Sequence, residues 1–244
     1  MKKIISLIII LFSIFIGCEK DSKIEEVKNS YIIGIDDADY PFEYRDPITG
    51  KLTGFEYELI SEIAKEGDFE IKIVIIPFAN LIPELAKNTI DIGIGHFSIT
   101  DERKKLVNFS NSYLSSNEVV LANKNNTSTN EDAPIYAEPP GTTFLDYAKK
   151  IPNAKIVEEV KYDKIIEKLL QKEIDYTIID EPTATVYSSM HSELYIKENI
   201  QRTYIGLALS KKLSKEDTKK INKIIDKFIE DGTIDKLKEK YNIR

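Results

Sequence analysis

The chain has 244 residues, of which 42% are hydrophobic and 31% charged, and a formal charge of −7. That length provides for one large domain or two small ones with proper cores, and the acidic balance, with no basic stripe to neutralise phosphates, argues against a nucleic-acid partner. Its single cysteine, Cys18, excludes an internal disulfide and a thiolate metal cluster.

Met1-Lys2-Lys3 followed by the apolar run 4–16 has the charged and apolar regions of a secretory signal and is short for a membrane-spanning helix. Residues 19–30 are polar without a sustained apolar face and read as a tether. A strand over 31–35 leads into the acidic turn Asp36-Asp37-Ala38-Asp39-Tyr40-Pro41-Phe42, and 45–50 is turn chemistry punctuated by Pro47 and Gly50. Phe55, Leu59 and Ile63 recur every four residues, which predicts a helix opened by Gly54 and closed by Gly67. A buried strand over 71–76 precedes a helix starting at Phe78, with Pro83 tolerable only near its beginning. This strand-helix alternation predicts a parallel sheet covered on both faces. Ligands bind such sheets at the carboxyl ends of the strands, where Asp36, Phe78 and His96 fall.

The run 91–103 begins as alternating Ile and Gly and ends in the polar turn Ser98-Ile99-Thr100-Asp101. The glycines remove side chains where something comes close to the backbone. A short helix capped near Thr100 would follow, offering N–H groups to an anion, and Arg103 one turn in adds a planar donor suited to a carboxylate. The alternative is a surface turn in which Arg103 pairs with Asp101 or Glu102. Beyond it, 119–122 reads as a strand and the polar stretch 123–132 as a point where one lobe gives way to another. A second series follows: a strand over 134–137, Gly141-Thr142-Thr143 opening a helix over 144–150, a strand over 156–160, a helix over 163–172 and a strand over 175–179. A helix from Asp180-Glu181-Pro182 to about Met190, a strand over 204–209 and a long helix capped by Ser214 come next. Ile221, Ile224, Ile225, Phe228 and Ile229 form that helix's expected core stripe, and Asp231-Gly232-Thr233 breaks it before a terminal helix.

The stretch IDIGIGHFSITDERKKLVNFSNSY resembles the signature of the amino-acid-type extracellular solute-binding proteins (family 3) of ABC importers. The likeness extends over residues 31–243 in several motifs kept in order, to Gly232-Thr233 and the final KLKEKY. Phe15-Ile16-Gly17-Cys18 likewise resembles a bacterial lipobox, with Phe15 where Leu is usual, so Cys18 is the expected site of lipidation after removal of residues 1–17. The resemblance implies an α/β, two-lobed, type II periplasmic-binding fold, each lobe a mostly parallel sheet flanked by helices, joined by a two-strand hinge. Residues 31–117 and 205–244 would form lobe 1, 118–204 lobe 2, and 18–30 the lipidated tether.

Family roles carry over where residues match. Arg103 corresponds to the arginine that holds an amino acid's α-carboxylate, with Ser98 supplying N–H and hydroxyl donors. Gly141-Thr142-Thr143 resembles the second-lobe turn that closes on the same carboxylate. Asp180 matches the acid that receives the α-ammonium, and Phe78 an aromatic over the ligand's side chain. Taken singly, Phe78 is a core residue, Thr142 and Thr143 a helix cap, and Asp180 a helix start. Together they supply what a zwitterion needs.

Three positions depart from the family pattern. Asp39 stands where a stacking aromatic is usual, Asp36 falls where the family places an acid reading the ligand's far end, and His96 replaces Gly, Ser or Ala. A lone His there is a packed or hydrogen-bonding residue rather than a catalyst, and it brings a titratable ring close to the ligand. The acids Asp36, Asp37 and Asp39 point to a cationic side chain such as Lys, Arg or ornithine. The expectation is therefore a monomeric receptor, lipid-anchored on the periplasmic or extracellular face, delivering an amino acid to an ABC permease, without cofactor or metal and without enzymatic activity. Two alternatives share the fold. One is a cyclohexadienyl or arogenate dehydratase, in which a Glu would stand at Thr183 and Glu181 or His96 would have to replace it as general acid. The other is a ligand-sensing subunit.

Overall fold

The computed structural model describes residues 29–127 and 129–243. The signal-like run and Cys18 lie outside the described residues. In chain order the elements are β1 (Ser30–Ile35), β2 (Ala38–Asp39), β3 (Glu43–Arg45), β4 (Leu52–Thr53), α1 (Phe55–Glu66), β5 (Glu70–Ile75), α2 (Phe78–Ala86), β6 (Ile92–Ile94), α3 (Asp101–Leu106), β7 (Asn108–Phe109) and β8 (Leu114–Asn123). They continue with β9 (Ile135–Glu138), α4 (Thr143–Ala148), β10 (Lys155–Glu158), α5 (Tyr162–Leu170), β11 (Tyr176–Asp180), α6 (Glu181–Met190), β12 (Leu194–Ile205), β13 (Ala208–Leu209), α7 (Lys215–Glu230) and α8 (Thr233–Lys240).

Two five-stranded sheets organise the chain, in the orders β5-β1-β6-β13-β7 and β10-β9-β11-β8-β12. In each, three neighbouring strands pair parallel, the fourth runs against them, and the edge strand pairs antiparallel with the fourth. Apolar residues cover both faces of each sheet, as parallel strands require. On the first sheet, Ile33, Ile35 and Ile92 pack with Phe55, Leu59 and Ile63 of α1 and with Ile221, Ile225 and Phe228 of α7. Leu81 and Leu85 of α2 cover the opposite face. The second sheet buries Val119, Leu121 and Ile179 against α5 and α6 on one side, and Val120, Ile178 and Tyr136 against α4 on the other. Each fully buried Ile, Leu or Phe contributes roughly 1.5–3 kcal/mol.

β8 and β12 form a long antiparallel ribbon that pairs from Leu114–Ile205 out to Asn123–Leu194. Its near end adjoins the first sheet, where Ser98 bridges Ile205, and its far end belongs to the second. The chain thus passes between the sheets along β8 and returns along β12. This is a type II two-lobed architecture, the fold that the resemblance implies.

Several local readings are corrected. The polar stretch 123–132 connects β8 to β9 within the second sheet, so the crossing between sheets lies before it, along β8. The expected strand over 204–209 is the end of β12 and the whole of β13 with Gly206 and Leu207 between them, and most of β12 is strand where none was read. Its middle is largely exposed and polar, so no apolar alternation marks it. A three-stranded sheet, β2-β3-β4, occupies a region read as turns. Ile229 points outward at 47% exposure while Ile221, Ile224, Ile225 and Phe228 form the core stripe. Gly67 ends α1 in a right-handed conformation, the left-handed residue being Asp68. Pro83 sits inside α2, at the sixth of nine residues. Gly54 has a clear steric reason: at φ +123° a β-carbon would run into the Phe42 carbonyl.

Candidate functional site

One cleft of about 610 Å³, counted to its open mouth, lies between the carboxyl ends of the strands of both sheets. Asp36, Asp39, Phe78, His96, Ser98, Arg103, Thr142, Thr143 and Asp180 all line it, joined by Glu43, Phe144 and Tyr162. The connections after β1, β5 and β6 deliver the first-sheet side chains, and those after β9 and β10 with the end of β11 the second-sheet ones.

At one end stands Arg103. Thr100 caps α3 by accepting the Arg103 N–H at 3.2 Å, which fixes the helix from which the guanidinium projects. The side chain donates to Ser98 O at 3.0 Å and, across the cleft, to Gly141 O at 3.1 Å. It lies over the rings of Phe97 and Phe78, at 5.2 and 5.8 Å, and these two rings stack on each other. Burial lowers its pKa to about 10, which still leaves it charged at neutral pH. Gly141 has φ +82°, and a β-carbon there would come within 2.9 Å of Ala79 Cα in α2. The two sheets' loops are therefore in contact over the guanidinium, and the structure is closed.

The hydroxyls near Arg103 are committed elsewhere. Thr142 donates to Pro139 O at 2.7 Å and accepts from Leu145 N as the cap of α4. Thr143 donates to Glu118 Oε1 at 2.9 Å, and Ser98 donates to the same oxygen at 3.4 Å. Gln201 holds the other Glu118 oxygen at 2.8 Å. Buried Glu118, on the β8 ribbon, thus gathers side chains from both sheets. A hydroxyl role toward a ligand was expected of Ser98 and the Gly141-Thr142-Thr143 turn, but their protons point into the protein. What remains for an anion is Arg103, the expected Ser98 backbone N–H and the unpaired first N–H groups of α4.

The opposite end is acidic. Asp180 caps α6 through Oδ1, which accepts from Thr183 N and Thr183 Oγ1 at 3.1 and 2.9 Å, and no donor among the described residues meets Oδ2. Asp36 Oδ2 accepts from Phe78 N at 2.7 Å, so that oxygen caps α2 instead of reading a ligand. Glu43 is fully buried with neither carboxylate oxygen hydrogen-bonded, and Asp39 Oδ1 is likewise sequestered and unpaired. Burial, reinforced by Asp180 for Asp39 and by Glu56 for Glu43, raises both pKa values well above the usual carboxylate range.

His96 sits beside these acids in a left-handed conformation, φ +48°. Its N–H donates to Glu56 Oε2 at 2.8 Å, its ring stacks on Phe42 at 3.7 Å, and Nδ1 is 3.3 Å from Glu56 Oε1. Tyr113 donates to that same Oε1 at 2.6 Å. Burial works against the imidazolium, but Glu56, Asp180 and Asp39 outweigh it and raise its pKa. Tyr162, at the start of α5, adds a phenol whose pKa burial and the nearby Asp39 and Asp180 push up.

Sequence reasoning missed Glu43, Glu56, Glu118 and Tyr162. Glu43 follows Pro41-Phe42 and looks like a turn acid, and Tyr162 like an ordinary helix start. Neither carries a local sign of burial. Among the described residues no group of His, Cys, Asp and Glu is arranged to hold a metal ion, and no helix is long and apolar enough to cross a membrane.

Residues 31–243 match the model of the bacterial extracellular solute-binding proteins, family 3. The chain belongs to that family. A probable histidine-binding protein of Campylobacter jejuni subsp. jejuni serotype O:2 is 32% identical over 209 residues, 83% of this chain and 81% of that protein. An ancestral arginine-binding protein bound to arginine superposes with a TM-score of 0.80 at 26% identity, covering 88% of this chain and 98% of the other. An ancestral amino acid-binding protein described as a precursor of cyclohexadienyl dehydratase gives 0.79 at 28% identity, over 87% and 95%. Membership in the solute-binding family agrees with a cleft that lies between the two sheets.

Proposed function

We propose that this protein is the receptor of an ABC importer and captures a free amino acid with a basic side chain, the lobes meeting along the β8–β12 ribbon at residues 117 and 205. Arg103 holds the α-carboxylate, Asp180 the α-ammonium, Phe78 and Phe144 flank the aliphatic stem, and Asp39 with Glu43 receives the side-chain cation. The observation that carries this reading is Glu43, a fully buried carboxylate with no donor on either oxygen. A buried charge left unpaired costs far more than a paired one, so a cationic guest supplies what the fold lacks. The histidine- and arginine-binding relatives support the same class. The guest touches both lobes, so it favours the closed state in which Arg103 reaches Gly141. In this account Cys18 carries a lipid that keeps the receptor on the outer face of a membrane beside its permease.

Calorimetric titration of the unliganded protein with the common amino acids tests the proposal. Arginine, lysine, ornithine or histidine should bind tightest, with compaction in solution scattering. Tightest binding of glutamate or leucine overturns it. A dehydratase is less well supported. Thr183 replaces the family enzyme's expected Glu and is tied to Asp180, while Glu181 Oε2 accepts from Asn117 at 2.7 Å. Formation of phenylpyruvate from prephenate would establish that enzyme instead.

A further inference from the structure

His96 is a buried titratable group with no part in holding the α-carboxylate or the α-ammonium. A left-handed backbone is costly for a residue with a β-carbon, so the ring is held there by its surroundings. Those surroundings are one-sided. Glu56 of α1 lies at 3.3 Å, with the Tyr113 hydroxyl on the same oxygen. Asp39 of β2, Glu43 of β3, and Asp180 at the end of β11 share the cleft wall with the ring. Phe42 covers one face. Among the residues lining the cleft, the one other basic side chain is Arg103, engaged with Ser98 and Gly141. His96 is thus the protein's own titratable base at the end where the ligand's side-chain cation would lie.

We propose that His96 is a proton-linked specificity residue: its ring adds or withholds a positive charge beside the ligand's side chain, so that basic amino acids are held tightly when the ring is neutral and weakly when it is protonated. This rests on the receptor reading given above. Glu56 makes the ring able to serve both states, since its carboxylate 3.3 Å from Nδ1 attracts the imidazolium while the backbone N–H bond to its other oxygen keeps the turn in place in either state. Linkage makes the effect reciprocal: a cation that disfavours the imidazolium is disfavoured by it to the same extent. The acids already raise the ring's pKa against burial, and a cationic guest at the same end works in the opposite sense. The ring's contribution to affinity for a basic amino acid is then full above the unliganded ring's titration, falls as pH drops toward the liganded ring's titration, and levels off below it.

The chain has two histidines, His96 and His191, so protein labelled with carbon-13 histidine gives two ring signals, and a His191→Gln variant assigns them. Each is titrated from pH 5 to 9 without ligand, with saturating L-arginine, and with L-citrulline, its uncharged analogue. The proposal predicts that arginine lowers the His96 titration by about one pH unit or more, equivalent to an arginine Kd about tenfold weaker at the acid limit. Citrulline should leave the titration near its unliganded position, and His96→Asn should reduce the pH dependence of the arginine Kd, leaving the part that Asp39 and Glu43 contribute. If arginine binds but the His96 titration does not move, or if His96→Asn retains the full pH dependence, the proposal is wrong while the receptor reading stands. If no basic amino acid binds, both fall together.

Discussion

The two ends of the cleft are built in opposite ways. Around Arg103 nearly every polar group has a partner: the guanidinium bonds two carbonyls, Thr142 caps α4, and Ser98 and Thr143 both rest on Glu118. Around Glu43 both carboxylate oxygens are bare, as are Asp39 Oδ1 and His96 Nε2. A satisfied end is pre-organised for a group that every amino acid has, so its order is set by the fold. An unsatisfied end is completed only by the correct guest, and it therefore carries the selection.

This contrast can be broken first at Arg103. Arg103→Met should weaken every amino acid alike, on the order of 100-fold or more, because a charged anchor in a desolvated site is lost. Selective loss of one ligand by titration would contradict the division of labour. Glu43→Gln should act oppositely, lowering arginine affinity on the order of tenfold or more while sparing citrulline. The same change should stabilise the unliganded protein at pH 8, since a buried carboxyl that is costly to ionise disappears. The pH dependence follows from the direction of the shifts. Glu43 and Asp39 have raised folded pKa values, so the folded state binds more protons than the unfolded one above about pH 4. Unliganded stability in thermal melts should therefore fall as pH rises from there through the folded pKa values, and saturating arginine should offset that fall.

Gly141→Ala probes the seam between the ends. With φ +82° and a β-carbon 2.9 Å from Ala79 Cα, it should resist closure and cost a few-fold to about tenfold in affinity for all ligands. The smallest effect is expected from Glu118→Gln. The amide oxygen can still accept from Thr143 and Ser98, and Gln201 can turn to meet the new NH2, so affinity should change by less than about threefold. A large loss would place Glu118 among the charges the ligand feels directly.

Much of the architecture was legible because burial leaves periodic marks. Phe55, Leu59 and Ile63 declare α1, and Ile221, Ile224, Ile225 and Phe228 declare α7. Thr100, Ser214 and Asp180 announce helix starts that the structure caps with those side chains. The long return strand β12 left no such mark, since residues such as Glu198 and Asn199 are exposed and its pairing with β8 is made by backbone atoms. The nine candidate residues met in one cleft because motif order preserved their places, yet the hydroxyl bonding of Thr142 and Ser98 depends on neighbours distant in the chain. Glu43 was the least legible. An acid in a short turn normally faces water, and only the packing of β3 beside α1 buries it.

A crystal structure of the protein with L-arginine tests the central claim most directly. The account predicts the α-carboxylate on Arg103, the α-ammonium on Asp180 Oδ2, and the guanidinium bonded to Glu43 and Asp39. A ligand that leaves the Glu43 oxygens bare, or that places its carboxylate away from Arg103, would contradict it.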